Sequence, residues 1–320
     1  MGIAFSFVIP SFNRPQALRR LLDSIFNLDF PRDEYEIIVV DNYPQFQAGR
    51  WVEAWYANRD DILCHHEPRP GAHHARNSGA ALATGRYLVF LDDDCEVTPG
   101  LLRAYAEVPG FSEIRMFGGR IEIQWDEIPP DEIRTFERLM GKIDYGERIF
   151  ALPKGKYVNG GNMVIDREFY LQIGGMGPDQ VEGWLAGSGD VGLCRQAQSL
   201  GVDIVWVPGA LVYHWQTAKR NGQLRDLMRR EMNNGICQAY EEMHHKRPGL
   251  RRRGLIKKLL ARIVVVLRKA MNSLVLALSN ESKTQRYKNL LDLAREWGYV
   301  HYYHKVLWNG TPQQGVREPG

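Results

Sequence analysis

The sequence predicts an α/β fold: a mostly parallel, Rossmann-like sheet flanked by helices, with a helical region appended toward the C-terminal end. Three observations carry this. Short apolar runs alternate with segments of helical period through the first hundred residues. Three polar or acidic groups, Pro10-Ser11-Phe12, Asp41-Asn42 and Asp92-Asp93-Asp94, close those runs. Beyond about Arg225 the pattern is helical throughout and rich in Lys and Arg.

Residues 4–9 form an apolar run ending at Pro10, the mark of a buried parallel strand. Pro15 suits the first turn of a helix over residues 16–26, whose Leu18, Leu21, Leu22 and Ile25 share one face. A second run, 36–40, ends at Asp41; a helix over 50–58 and a third strand over 62–65 follow. After Gly71, residues 73–83 alternate small and apolar side chains as a packed helix does. The run YLVF then leads into three aspartates. Strands alternating with helices give a parallel sheet with right-handed crossovers, and ligands bind beyond the carboxyl ends of such strands. The polar strand ends therefore fall along one edge as a candidate site.

The middle is less regular. A strand over 118–125, a partly exposed helix over 129–140, a strand over 159–165 and a short helix over 167–173 are expected. A glycine-rich loop, 174–189, leads to a helix over 190–200, then short strands at 205–208 and 211–214. The sequence 246–269 carries many Lys and Arg and no acid, interleaved with aliphatic residues, and a further helix is expected over 283–297.

Composition sets bounds on function. With 320 residues, 44% hydrophobic and 25% charged, the chain can bury a full α/β core. A net charge of +3 is too small to indicate nucleic acid. Cys64, Cys95, Cys194 and Cys237 are scattered without metal spacing, the usage of a reducing cytosol. No signal peptide is read at the start and no uncharged apolar stretch of membrane-spanning length, so a cytoplasmic protein is expected.

Three adjacent carboxylates repel one another and raise one another's pKa, a cost that a divalent cation removes. Mg²⁺ and Mn²⁺ prefer oxygen ligands and share them with substrate phosphates. The alternative is a solvated acidic loop capping the helix that follows Pro99. The pairs His65-His66, His73-His74 and His244-His245 are read as surface residues, because adjacent side chains point in different directions.

The segments FVIPSFNRPQALRRLLDSI, EIIVVDN and GAHHARNSGAALATGRYLVFLDDDCEV resemble the donor half of glycosyltransferase family 2. GGNMVIDREFYLQIGGM, the helix start at Asp190 and LVYHW extend the resemblance over roughly residues 4 to 215. It implies the A-type glycosyltransferase fold and inverting transfer of one sugar from a UDP- or dTDP-linked donor to a glycan or lipid-linked acceptor. A hexosyl- or deoxyhexosyltransferase of bacterial surface polysaccharide or glycolipid assembly is expected. Residues 1–220 would be the catalytic domain (1–100 for the nucleotide sugar, 101–220 for the acceptor), and 221–320 a basic helical region.

The resemblance also assigns roles. Pro10 and Phe12 would line the base pocket, Asp41 would accept a hydrogen bond from the base, and Asp92 and Asp93 would face ribose and donor sugar. Asp94 would hold Mn²⁺ or Mg²⁺, with His214 completing the metal site. Arg76 would lie near the nucleotide, unless it is only a helix-surface arginine. Asp190 is the candidate base. The family's preceding glutamate and following acid are replaced by Gly189 and Gly192, which leaves Glu182 as the fallback base. Asn162 and Trp184 are assigned to the acceptor side. No Gln-x-x-Arg-Trp motif of processive synthases is present, and no GxGxxG follows the first strand, which excludes a dinucleotide enzyme. A non-catalytic nucleotide-sugar-binding subunit is the alternative.

Residues 251–278 combine cationic and aliphatic faces, the pattern of a helix lying on an anionic membrane surface. Peripheral attachment to the inner face of the cytoplasmic membrane is expected; packing on the remainder of the chain is the alternative.

Overall fold

The apolar runs of the first hundred residues become the central strands. A computed structural model describes residues 4–57, 59, 61–177, 180–181, 184–185, 189–243 and 252–310. In chain order it contains β1 (Phe5–Ser11), α1 (Pro15–Phe26), β2 (Tyr35–Asp41), α2 (Ala48–Tyr56), β3 (Ile62–His66), α3 (Ala72–Leu82), β4 (Tyr87–Phe90), β5 (Cys95–Val97) and α4 (Leu101–Ala106). There follow β6 (Met116–Trp125), α5 (Asp131–Arg134), β7 (Phe150–Ala151), β8 (Met163–Asp166), α6 (Arg167–Gln172), β9 (Gln180–Val181), β10 (Trp184–Leu185), α7 (Gly189–Ser199) and β11 (Ile204–Gln216). Helices α8 (Ala218–Asn221), α9 (Leu224–Glu241), α10 (Arg252–Leu278) and α11 (Lys283–Asn309) complete it.

The main sheet runs β3-β2-β1-β4-β8-β6-β11-β5, with β7 beside β11. β1 pairs in parallel with β2 and β4, and β2 with β3. Beyond β4 the expected parallel order gives way: β8 is antiparallel to both β4 and β6, and β11 to β5 and β7. The strand–helix alternation that enforces parallel crossovers stops near residue 100, so nothing local fixes strand direction after it. Apolar side chains fill both faces of the parallel half, Phe7, Ile9 and Val39 on one and Val8, Ile38 and Val40 on the other.

The two short strands expected around Pro208 are one strand, β11. It pairs with β7 at Val205 and Trp206 and with β5 from Val212 to His214, so Pro208 falls between these two ladders.

The described residues divide into two compact units. The first draws on Met1–Gln124, Gly141–Gly177 and Gly189–Gln216, the second on Trp125–Met140, Pro178–Ser188 and Thr217–Gly320. Residues 125–140 fall in the helical unit. In that unit α9 crosses α11 at Gly235 and Gly298, where a Cβ on either residue would run into the other helix's backbone. A core of Ile236, Ala239, Tyr240, Leu255, Leu259, Tyr302 and Tyr303 joins α9, α10 and α11.

Candidate active site

Parallel pairing in register brings the strand ends together. Ser11 lies beside Asp41 across β1 and β2, and Asp92-Asp93-Asp94 follow β4 on the other side of β1. Asp93 is buried and accepts hydrogen bonds from Ser11 Oγ (3.1 Å), Phe12 N (3.3 Å) and Arg14 Nη1 (3.0 Å). Burial pushes its pKa up to about 6 against the pull of Arg14.

Asp94 faces two cationic or protonatable groups. Arg14 Nη1 stands 2.7 Å from Oδ2, and His214 Nε2 stands 3.1 Å from Oδ1. Burial alone would raise its pKa; the His214 contact and Arg14 outweigh that and hold it below the usual carboxylate range. His214 arrives from the far end of the chain because β11 pairs with β5, setting His214 opposite Cys95, the residue after Asp94. One ligand atom each from Asp92, Asp94 and His214 lies within 4.8 Å of the others. The two carboxylate oxygens suit Mn²⁺ or Mg²⁺, the imidazole nitrogen is the softer donor and better tolerated by Mn²⁺, and the close spacing of the donors fits a single ion.

Asp92 is held by an ion pair with Arg76 of α3. Arg76 is buried, which corrects the surface-arginine alternative: its guanidinium also stands 3.4 Å from His73 Nδ1 and against Gly160. His73 is buried too, contrary to its expected place on the surface. Burial, then Arg76, pushes its pKa down to about 3, so the ring is neutral. The helical turn of α3 explains both corrections, since positions 73 and 76 share the face turned toward the sheet. The pair His65-His66 is half-buried, with His66 stacked on Phe46 at 5.3 Å.

Asp41 closes β2 as expected, but its carboxylate is turned onto its own loop. It accepts from Tyr43 N (2.9 Å), Gln47 N (2.6 Å) and Ala48 N (2.8 Å). Those bonds fix Tyr43, whose ring meets the half-exposed ring of Phe12 edge-on at 5.2 Å. Pro10 lies on β1 opposite Val40. Together Phe12 and Tyr43 form an aromatic edge beside the acids.

Asp190 lies in the first turn of α7. Its Oδ2 accepts from Gly160 N (3.0 Å) and its Oδ1 from Val191 N (2.9 Å), and burial raises its pKa. The residue before it, Gly189, has φ of +43°, and a Cβ there would stand 2.5 Å from His73 Nε2. The ring of His73 therefore occupies the space that a side chain at 189 would need.

The acceptor assignment of Asn162 is corrected. It is fully buried, its Nδ2 donates to Arg120 O (3.0 Å) and Ala210 O (2.8 Å), and its Oδ1 accepts from Tyr105 (2.7 Å). Its amide ties the sheet together and is closed off from any ligand. Glu182 and the pair His244-His245 lie outside the described residues, as does the side chain of Trp184. Sequence reasoning missed Arg14, Tyr43 and His73. Arg14 was legible in part, since a cation three residues past a strand end falls at the same edge as the acids.

The model of the family described as Glycosyl transferase family 2 matches residues 6–170, just over half of the chain. Among similar proteins, Glycosyltransferase AglE of Haloferax volcanii is 26% identical over 123 residues, 38% of this chain and 40% of that protein. A GalNAc(5)-diNAcBac-PP-undecaprenol beta-1,3-glucosyltransferase of Campylobacter jejuni is 30% identical over 115 residues, 35% of this chain and 37% of that one. The chain thus spans about two fifths of the length of these relatives. Among solved structures, the mannosyltransferase PcManGT from Pyrobaculum calidifontis, in complex with GDP-Man and Mn²⁺, superposes with a TM-score of 0.60 at 16% identity, covering 97% of this chain and 89% of that one. Residues 1–349 of S. aureus TarS in complex with UDP superpose with a TM-score of 0.53 at 14% identity, covering 95% of this chain and 91% of that one. At such identities the likeness speaks for the fold alone, which is the A-type glycosyltransferase fold. The family match covers every strand end that supplies an acid to the cluster, and on that match the chain belongs to glycosyl transferase family 2.

Proposed function

We propose that the chain is a metal-assisted, inverting glycosyltransferase that moves one sugar from a nucleotide-diphosphate sugar to a hydroxyl of a glycan or lipid-linked acceptor. A UDP- or dTDP-linked donor and a role in bacterial surface polysaccharide or glycolipid assembly are part of this reading. The single observation that carries it is the convergence of Asp92, Asp94 and His214 within 4.8 Å at the end of a parallel sheet.

Asp92, Asp94 and His214 would hold the cation. When bound, Mn²⁺ or Mg²⁺ supplies Lewis-acid charge that offsets the negative charge gathering on the departing diphosphate. Arg14, bonded to Asp93 and Asp94, adds a fixed positive charge at the same edge, worth more in a water-poor cleft than in solvent. Phe12 and Tyr43 offer rings against which a nucleobase can rest, and Asp41 holds Tyr43 in place. Asp190 is the carboxylate proposed to take the proton of the attacking hydroxyl; its raised pKa suits a general base. One displacement with the base opposite the leaving group inverts the anomeric carbon, as in inverting glycosidases.

A second reading, a nucleotide-sugar-binding subunit without turnover, draws on the two backbone amides already bonded to Asp190 and on the glycine before it. Screening nucleotide sugars for transfer and hydrolysis with Mn²⁺ separates the two. Release of free nucleotide above background supports the enzyme; tight donor binding with no release supports the subunit.

Peripheral membrane association is part of the proposal. Among the described residues no helix is long and apolar enough to cross a membrane. Along α10, Leu260, Val264, Leu267, Met271 and Leu274 are exposed together with Arg252, Arg253, Lys257 and Arg268, the composition of a helix lying in a lipid interface.

A further inference from the structure

The turn between β1 and α1 puts an arginine where helix chemistry disfavours one. Arg14 is the N-cap of α1, a place that favours Ser, Thr, Asp or Asn because their short side chains accept from the first amides. Its own side chain makes no capping bond, and no acidic residue stands in the first turn. A guanidinium at the positive end of a helix also adds a like charge. The chain enters this position through Asn13, whose φ of +52° lies in the left-handed region that Asn enters more readily than most residues. What offsets the missing cap is the pairing of Arg14 with Asp93 and Asp94.

The acids divide their bonds unevenly. Asp93 is buried, and both of its oxygens are bonded to protein: Oδ1 to Arg14 Nη1 at 3.0 Å, Oδ2 to Ser11 Oγ and Phe12 N. Among the described residues, the ligand atoms that converge belong to Asp92, Asp94 and His214, without Asp93. The same Arg14 Nη1 reaches Asp94 Oδ2 at 2.7 Å. The middle aspartate thus anchors a positive charge against one of the ligands. Of the described groups in contact with the triad, two guanidiniums, Arg14 and Arg76, face the three carboxylates. A divalent cation entering alone therefore meets little net negative charge, and Arg14 repels it from beside its own ligand. Arg76 is buried, whereas the Arg14 side chain is partly exposed and has room to turn.

We propose that Arg14 guards Asp94. Anchored by Asp93, it opposes a divalent cation while no donor is bound, and turns N–H groups from Asp94 to the diphosphate when donor and cation enter together. Forked arginine donors fit phosphate oxygens as well as carboxylate oxygens, so the exchange keeps the guanidinium bonded and leaves Asp94 Oδ2 open. Cation and diphosphate then strengthen each other's binding by the same factor. The inference rests on the sugar-transfer reading for the diphosphate, and goes beyond it in making Arg14 the reason that the cation waits for the donor.

The test is calorimetry of the full chain with Mn²⁺ and with UDP, separately and together. Without nucleotide, Arg14→Met should bind Mn²⁺ about tenfold more tightly than wild type, and in chelator it should bind UDP about tenfold more weakly, the scale of one charge contact. The opposite signs are the signature, because a merely structural loss would weaken both. Wild type should bind Mn²⁺ at least about tenfold more tightly with UDP than without it. Equal Mn²⁺ affinity in those two conditions, or an Arg14→Met variant that binds Mn²⁺ no more tightly or UDP no more weakly, overturns the guarding role and leaves the metal reading in place. Folded wild type that binds no Mn²⁺ in either condition overturns the metal reading, and this inference with it. Should Arg14→Met fail to fold, Arg14→Lys reads the same two affinities. Its ammonium keeps the charge without the fork, so both shifts should shrink and keep their sign; a reversed sign in either overturns the proposal.

Discussion

At Asp94 the two carboxylate oxygens face different groups, Arg14 on one side and His214 on the other. That division explains how three adjacent aspartates are held at one strand end. Asp92 answers to Arg76, Asp93 to Ser11 and Arg14, and Asp94 to Arg14 and His214. Replacing Asp94 with Ala should abolish Mn²⁺-dependent donor binding; unchanged Mn²⁺ affinity in calorimetry would refute the ligand assignment. Asp190→Asn should retain donor binding and lose transfer by about 10²–10⁴-fold, the scale of general-base catalysis. Near-native turnover in that variant would move the base elsewhere. The sequence showed the acids, because a run of aspartates after an apolar strand has few other uses. It placed Arg14 only at the edge where the acids collect and did not show its partners or the burial of His73, since an arginine or histidine acquires meaning only from what lies across from it.

At the scale of elements, α3, α7 and the turn at Gly160 meet around the buried pair His73 and Arg76. Gly189 is needed twice over: its φ of +43° suits glycine, and His73 fills the volume beside it. Restoring the family's glutamate by Gly189→Glu should therefore not raise activity. It should destabilise the protein by about 1–3 kcal/mol through backbone strain and displacement of His73, read as a lower melting temperature. A more active, equally stable variant would show that the glycine is incidental. Helix α10 raises a different question. Lys258, Arg262 and Lys269 are drawn into ion pairs with Glu242, Glu296 and Asp292, so part of the cationic face read from the sequence is turned inward. The exposed stripe is more aliphatic than expected. Glutamine at Leu260, Val264, Leu267 and Leu274 should accordingly release the protein from anionic vesicles in a sedimentation assay, whereas charge reversal at Lys258 should chiefly lower stability. Vesicle binding that survives the glutamine variant would remove the membrane role of this helix.

For the molecule as a whole, acid should loosen the fold in two steps of the same sign. His73 has a folded pKa of about 3 against 6.5 when unfolded. The unfolded chain takes up its proton first, so the stability that neutral His73 contributes is present above pH 6.5 and is lost as pH falls toward 3. Glu67 is held down at about 2 against 4.5, chiefly by hydrogen bonds from Arg69, so its contribution is present above pH 4.5 and lost as pH falls toward 2. Melting temperatures measured across this range should fall below pH 6.5 and more steeply below 4.5. His73→Leu should flatten the first window and Glu67→Gln the second; an unchanged slope in either variant would dissociate that residue from the effect.

Local sequence by itself determined the parallel half of the sheet, the helices between its strands, the edge where the acids collect and the helical character beyond residue 224. Apolar runs, helical period and chain connectivity dictate those features without long-range information. Tertiary structure alone decided the antiparallel half, the continuity of β11 through Pro208, the burial of Asn162 and His73 and the union of residues 125–140 with the C-terminal helices. Each depends on which distant segments pack together, and a hydrogen bond between residues 48 positions apart, like that from Asn162 to Ala210, leaves no periodic trace in the sequence.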